Sequence, residues 1–178
     1  MEHGNDCDHS HCSHSNASVC QSISEMDWER GLWYAAFYGD EERVRDLINK
    51  SKNAKELVNT PDHAGYTPLH YAARKGSVDV CKILLQYGAQ INAQTKNGHA
   101  TPLHKAAASG KIDTIKFLTQ SGARIDMLDA DGQTILHKAA QNKHVDLFKY
   151  LMETYHQLAS LKDIKGHYAS DYMSTKNK

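Results

Sequence analysis

Apolar side chains recur along this chain in a pattern that is repeated three times. Each copy opens with a short block rich in alanine, seen in "GYTPLHYAARKG", "GHATPLHKAAASG" and "GQTILHKAAQNK". The threonines Thr67, Thr101 and Thr134 of these blocks are 34 and then 33 residues apart. A second segment with apolar residues at helical spacing follows each block, as in "VDVCKILLQYGAQIN". A period of this length with two helices in each copy predicts a stacked repeat protein.

The first block of each copy carries the start and stop signals of a helix. Thr67 and Thr101 are predicted N-caps, because each precedes a proline, which fits the first helical position. Gly76 and Gly110 are predicted to end these helices in the left-handed conformation. The third copy has Lys143 at that place, where the same conformation would cost up to about 1 kcal/mol.

The second segment of each copy predicts a helix with one buried stripe. The apolar residues of that stripe are Val80, Ile83, Leu84, Ile115 and Leu118. Cys81 falls within the stripe, and we interpret it as a buried structural thiol rather than a reactive one.

Weaker copies flank the three clear ones. Upstream, "GLWYAAFYGDEERVRDLI" aligns Ala35, Ala36 and Gly39 with the alanine pair and the glycine of the later blocks. Downstream, "DIKGHYASDY" repeats the Asp-x-x-Gly opening of "DHAG" and "DADG". These segments predict a divergent first unit and a partial last unit.

The best copy carries a family resemblance. The segment "DHAGYTPLHYAARKG" matches the ankyrin pattern Asp-x-x-Gly-x-Thr-Pro-Leu-His-x-Ala-Ala-x-x-Gly nearly completely, and the chain resembles the ankyrin repeat family over residues 27–173. The resemblance implies an all-α solenoid of stacked helix-turn-helix units with β-turn fingers. About four repeats and a partial C-terminal capping unit are expected. The expected segments are a polar leader at 1–24 and an ankyrin domain at 25–178, with repeats at about 27–59, 60–92, 93–126 and 127–160 and the partial unit at 161–178.

Two further features depart from the ankyrin pattern. An extra residue, Ala100 or a neighbour, precedes Thr101, so the finger there is expected to bulge. After "LMETYHQLASLKD" no Gly-Ala signal ends the helix, which predicts either a longer final helix or an irregular loop.

Three histidines, His70, His104 and His137, recur at one position and would form a catalytic or metal site if they converged. In ankyrin repeats the Thr-x-x-His pair forms hydrogen bonds within and between the loops, so the resemblance implies buried connectors instead. The sequence shows no carboxylate pair, nucleophile with a base, or phosphate-binding loop above background. We therefore expect no enzymatic activity and no small-molecule substrate.

Partner recognition is expected at the variable positions, because stacking buries the recurring ones. These positions are aromatic toward the N-terminal end and basic along the groove, and Asp131 is the one acid counted among them. The candidate partner-binding residues are Phe37, Tyr38, Tyr66, Tyr71, Arg74, Lys75, Lys105 and Lys138. Such a surface predicts an adaptor or scaffold that binds an acidic or phosphorylated protein segment carrying an apolar anchor. Alternatively, Tyr34 and Phe37 shield the first layer and the lysines are merely solvated.

Composition narrows the class of partner. The 178 residues contain 21 Lys plus Arg and 21 Asp plus Glu, so no general positive field favours nucleic acid or an anionic membrane. No apolar run is long enough to cross a bilayer, and residues 1–15 are too polar for a signal peptide. We expect a monomer inside the cell, cytoplasmic, nuclear or both, whose partner is a protein.

The leader contains "CDHSHCSH", a cluster of cysteine and histidine. Its candidate zinc ligands are Cys7, Cys12, His14 and Cys20. The spacing lacks a Cys-x2-Cys pair, and a polar tail with biased composition is the other interpretation. A metal-responsive protein with a zinc-binding leader is thus the alternative function, and no other cofactor is expected.

The chain also contains a candidate modification site. Asn92, in "LLQYGAQIN", occupies a finger position at which the ankyrin family often undergoes asparaginyl hydroxylation. The alternative is a turn-forming asparagine whose side chain bonds nearby backbone.

Overall fold

The computed structural model describes residues 31–174 and consists of paired helices. The helices are α1 (Leu32–Tyr38), α2 (Glu41–Lys50), α3 (Ala54–Leu57), α4 (Pro68–Lys75), α5 (Val78–Gln86), α6 (Pro102–Ala108), α7 (Ile112–Gln120), α8 (Ile135–Gln141), α9 (Val145–Thr154) and α10 (Ala169–Ser174). A 3-10 helix, His156–Ser160, follows α9. Within residues 31–174 the only β-type pairing is an isolated bridge between Lys162 and Tyr168. The predicted all-α solenoid is confirmed.

The helices form two rows. The front row consists of α1, α4, α6, α8 and α10, each packed against the next. Behind it, α2, α5 and α7 contact one another in order, and α9 packs on α8. The paired alanines of the front helices are fully buried, and their small side chains leave room for the neighbouring helix.

Local sequence signals set the limits of the front helices as predicted. Thr67 and Thr101 are N-caps followed by proline. Past the ends of these helices, Gly76 and Gly110 have φ of 92° and 68°. Lys143 has φ of 58°, so the strained position in the third copy is also confirmed. The Lys143 ammonium donates to the carbonyl of Tyr172, a contact that a glycine could not make.

A loop that we call a finger precedes each of α4, α6, α8 and α10. The first to fourth fingers are residues 62–66, 95–100, 129–133 and 163–167. A backbone hydrogen bond closes the first finger from Asp62 N to Tyr66 O, but the second from Thr95 N to Ala100 O, one residue further on. The extra residue therefore lies in the second finger, as predicted, and there His99 rather than a glycine adopts positive φ, at 47°.

Successive fingers are joined to each other. The amide of Lys96 donates to Ala64 O at 3.1 Å, and the amide of Ala130 donates to Gly98 O at 2.9 Å. Ile164 N continues the series onto Asp131 O at 3.1 Å. The finger edge is thus a connected strip rather than a set of independent loops.

The end of α9 follows the irregular alternative. The helix stops at Thr154, and the chain continues as the 3-10 helix His156–Ser160, whose Leu158 is buried. Over the described range every helix is too short or too polar to cross a lipid bilayer.

The strained finger yields a stability prediction. The His99 side chain is exposed and makes no hydrogen bond to a described residue, so His99→Gly should mainly relieve the left-handed backbone. We expect the free energy of unfolding, measured by urea denaturation, to rise by up to about 1 kcal/mol. His99→Ala removes the ring but keeps Cβ and should bring no gain. An equal gain from His99→Ala would show that loss of the imidazole ring, and not relief of the backbone, raises the free energy of unfolding.

Candidate protein-binding groove

We define the groove as the exposed side of the front helices together with the adjoining fingers. Five of the predicted partner-binding residues form one continuous series there. The ring centroids of Tyr38 and Phe37 are 5.1 Å apart, those of Phe37 and Tyr71 6.1 Å, and those of Tyr71 and Tyr66 5.6 Å. The ammonium of Lys105 lies 4.6 Å from the centroid of the Tyr66 ring. The series crosses from α1 to α6.

The first end of this series is open to solvent. Tyr38 is 54% exposed, and Phe37, Tyr66 and Tyr71 are half-buried. Tyr34 adds a further ring to the cluster, and its centroid lies 4.4 Å from that of Tyr38. The Arg43 guanidinium lies 5.3 Å from the centroid of the Tyr34 ring. These rings cover the first layer and still present apolar surface outward.

The fourth residue of α4, α8 and α10 points toward the base of the finger that precedes its helix. The first residue of the finger is Asp62, Asp129 or Asp163 in three of the four cases. In each of these aspartates, Oδ1 accepts two backbone amides of the finger. The other oxygen, Oδ2, is left for the helix residue.

Three helix residues use that second oxygen. The Tyr71 hydroxyl donates to Asp62 Oδ2 at 2.5 Å, and the Lys138 ammonium lies 2.5 Å from Asp129 Oδ2. The Tyr172 hydroxyl donates to Asp163. Burial opposes ionisation of Asp163, but hydrogen bonds from Tyr172 and the His167 amide hold the pKa of Asp163 below its usual range.

Lys105 is the exception. The second finger begins with Thr95, whose single oxygen accepts the Ala100 amide at 3.1 Å. No second oxygen remains for Lys105, and its ammonium instead donates to the Tyr66 hydroxyl at 2.8 Å. Lys105 forms no ion pair with a described residue.

The predicted basic row needs a correction at Lys138. Its ammonium is paired with the buried Asp129 and also donates to Gln133 Oε1 at 2.7 Å, so its charge is neutralised inside the protein. Asp131 is also not the one acid near the groove, because the carboxylates of the finger aspartates contact groove residues from below. The sequence spacing could have indicated these contacts, because the aspartate and the helix residue are nine residues apart in each case. The pairs are Asp62 and Tyr71, Asp129 and Lys138, and Asp163 and Tyr172.

Arg74 and Lys75 complete the positive side of the groove. Both are exposed in the last turn of α4, and neither forms an ion pair with a described residue. Burial and the hydrogen bond to Asp62 raise the pKa of Tyr71 above its usual range, so this ring remains a neutral neighbour of Arg74. Among the predicted partner-binding residues, the cations without an ion pair to a described residue are therefore Arg74, Lys75 and Lys105.

The three recurring histidines connect the repeats. His70 Nδ1 accepts from the Thr67 amide at 3.0 Å, which places the ring proton on Nε2, 3.0 Å from Ala100 O. His104 and His137 form the same bonds with Thr101 and Thr134. Burial lowers the pKa of His70 to about 4 and lowers that of His104 as well.

The remaining candidate residues lie outside the groove or outside the described range. Burial raises the pKa of Cys81 to about 12, which fits an inert thiol. Asn92 Oδ1 accepts from the Arg124 amide at 2.9 Å, and its hydroxylation stays a prediction. Residues 31–174 bring no three of His, Cys, Asp or Glu together as metal ligands. The predicted zinc ligands Cys7, Cys12, His14 and Cys20 fall outside that range.

Comparison with known families settles the class of the chain. A model described as ankyrin repeats (3 copies) matches residues 9–95, and one described as ankyrin repeats (many copies) matches residues 103–152. The chain belongs to the ankyrin repeat family. Ankyrin repeats indicate a protein-protein interaction module and are typically non-enzymatic, in agreement with the predicted class of partner.

Similar proteins share only part of their length with this chain. Human Ankyrin repeat domain-containing protein 39 is 50% identical over 86 residues, which are 47% of this chain and 45% of that protein. Its bovine counterpart is 51% identical over 67 residues, or 36% and 34%. Palmitoyltransferase akr1 of Schizosaccharomyces pombe is 40% identical over 62 residues, 35% of this chain but 9% of that protein. Ankyrin segments thus occur in otherwise different proteins, and the fold alone names no partner.

The buried histidines make the fold sensitive to acid. The folded chain keeps His70 neutral down to a pH of about 4, whereas the unfolded chain binds the proton near its ordinary pKa of about 6.5. Because the unfolded state binds more protons in this window, stability must fall as the pH falls. From pH 7 to pH 5 we expect His70 to account for a loss of about 2 kcal/mol in urea denaturation.

A matched pair of variants isolates this effect. His70→Gln removes one of the buried titrating groups and should reduce the loss of stability between pH 7 and pH 5, whereas His63→Gln, at an exposed finger position, serves as the control and should not reduce it. Equal pH profiles for the two variants would contradict the assignment.

Proposed function

We propose that the chain is a non-catalytic adaptor or scaffold whose groove docks an acidic protein segment carrying an apolar anchor. The observation that carries this proposal is the aromatic series from Tyr38 to Tyr66, which ends at an ammonium without a carboxylate partner. Apolar surface and uncompensated positive charge lie side by side along one line.

The aromatic part would supply most of the affinity. Rings of this kind give large, rigid contact area at low entropic cost and are enriched among interface residues that dominate binding. An apolar side chain of the partner, packed against Tyr38 and Phe37, would cover surface that is now exposed.

The charged part would supply selectivity. Arg74, Lys75 and Lys105 lack internal counter-charges among the described residues, so an acidic segment would meet three available cations. Complementary charge raises the association rate and disfavours basic partners, and both effects weaken with added salt.

The charge balance bears on the class of partner. A net charge of zero gives no support to a nucleic-acid or membrane-surface partner. We propose that the chain works as a monomer inside the cell, in the cytoplasm, the nucleus or both.

The test is quantitative affinity capture from cells with a groove variant and a charge-matched control. The groove variant is Arg74→Glu with Lys105→Glu. The control is Arg45→Glu with Lys149→Glu, which makes the same change in net charge at exposed positions of α2 and α9. We expect captured partners to fall at least tenfold for the groove variant alone, with the melting temperatures of the two variants within a few degrees.

Two outcomes would reject the proposal. If both variants retain the same partners as the unmodified chain, the groove is not the binding surface. If the groove variant unfolds while Lys105→Gln also lowers the melting temperature strongly, Lys105 serves stability rather than binding.

A further inference from the structure

Two lysines of the described range are less exposed than the others. Lys105 and Lys138 are half-buried, while all other lysines between residues 31 and 174 are exposed. Both are the fourth residue of a front helix, in α6 and α8 respectively. They occupy equivalent positions in successive repeats, so any difference between their surroundings comes from the neighbouring residues and not from their place in the fold.

The two ammonium groups differ in their compensation. Lys138 has the second oxygen of Asp129 at 2.5 Å. Lys105 has only the neutral hydroxyl and ring of Tyr66. A partly desolvated charge without a counter-charge is unfavourable, and the penalty is relieved when an anion arrives from outside.

The donors around Lys105 suit a carboxylate. The Tyr66 oxygen accepts from Lys105 at 2.8 Å, so the Tyr66 hydroxyl hydrogen and the remaining ammonium hydrogens are directed elsewhere. Within the described residues none of these hydrogens has an acceptor other than Tyr66 itself. The two oxygens of one carboxylate can accept from both groups at once, which gives charge-assisted hydrogen bonds.

We propose that Lys105 and Tyr66 form the subsite that receives one Asp or Glu side chain of the docked segment, and that Thr95 determines its location. This inference rests on the function proposed above and specifies where the acid of the partner binds. In the other three fingers the aspartate fills the equivalent place from within the protein.

Thr95 acts from below the surface. It is 4% exposed and cannot itself touch a partner. Its oxygen holds the Ala100 amide as Asp62 Oδ1 holds the Tyr66 amide, so an aspartate at position 95 would sit in the same orientation with its second oxygen free for Lys105. Thr95→Asp should therefore occupy the subsite internally without altering any exposed side chain of the groove.

The experiment begins with a phage-displayed library of random peptides, selected on the full chain and on two variants. Thr95→Asp introduces the carboxylate, and Thr95→Asn has the same shape without the charge. We expect the unmodified chain and Thr95→Asn to enrich peptides with an acid at one fixed distance from an apolar residue. Thr95→Asp should enrich the apolar residue without that acid.

Fluorescence anisotropy then gives the size of the effect. For the best peptide from the unmodified chain, changing its acid to the matching amide should weaken binding about tenfold. Thr95→Asp should weaken binding of the acidic peptide about tenfold but that of the amide peptide less than twofold. Thermal melting of all three proteins verifies that each is folded.

The outcomes separate this inference from the proposed function. If the unmodified chain enriches acidic peptides and Thr95→Asp enriches the same ones with unchanged affinity, the groove binds but Lys105 is not the subsite. If Thr95→Asn loses binding as fully as Thr95→Asp, the shape of the finger rather than its charge is responsible, and the inference is wrong. If the unmodified chain enriches no peptide, both proposals fail.

Discussion

The two oxygens of a finger aspartate are the constraint on which the groove depends. One oxygen accepts backbone amides of the finger. The other binds the fourth residue of the helix that follows, as Asp62 accepts from the Tyr71 hydroxyl and Asp129 pairs with the Lys138 ammonium. A threonine has one oxygen and can perform only the first task. At Thr95 the finger is therefore still held by its hydrogen bond to the Ala100 amide, but no carboxylate of the finger neutralises the charge of Lys105.

The same fingers tie one repeat to the next. The carbonyl that closes the second finger, Ala100 O, also accepts the Nε2 proton of His70 from the preceding repeat. Gln133 O does the same for His104. Because each histidine is buried and neutral, the loops are held to the helices without introducing charge into the core. These bonds fix the finger carbonyls to the helices, and a preorganised surface loses little entropy when a partner binds.

Local signals made most of the fold predictable. The caps at Thr67 and Thr101 and the left-handed Lys143 depend on residues close in sequence and on a strong repeat. The burial of the recurring histidines was implied by the family resemblance. The charge of the groove was harder to predict from the sequence, because the neutralisation of Lys138 depends on where the second oxygen of Asp129 points. Nor does the sequence reveal that the inserted residue moves the positive φ from Gly98 to His99. Both are consequences of the folded finger.

A crystal structure of the full chain with a bound acidic peptide is the most direct measurement of whether the missing aspartate is supplied by a partner. We expect one peptide carboxylate within hydrogen-bonding distance of Lys105 Nζ and the Tyr66 hydroxyl, with Lys138 still paired to Asp129 and an apolar peptide side chain against Phe37 or Tyr38. A peptide whose acid lies on Lys138, on the finger tips or on the rear helices would contradict that conclusion.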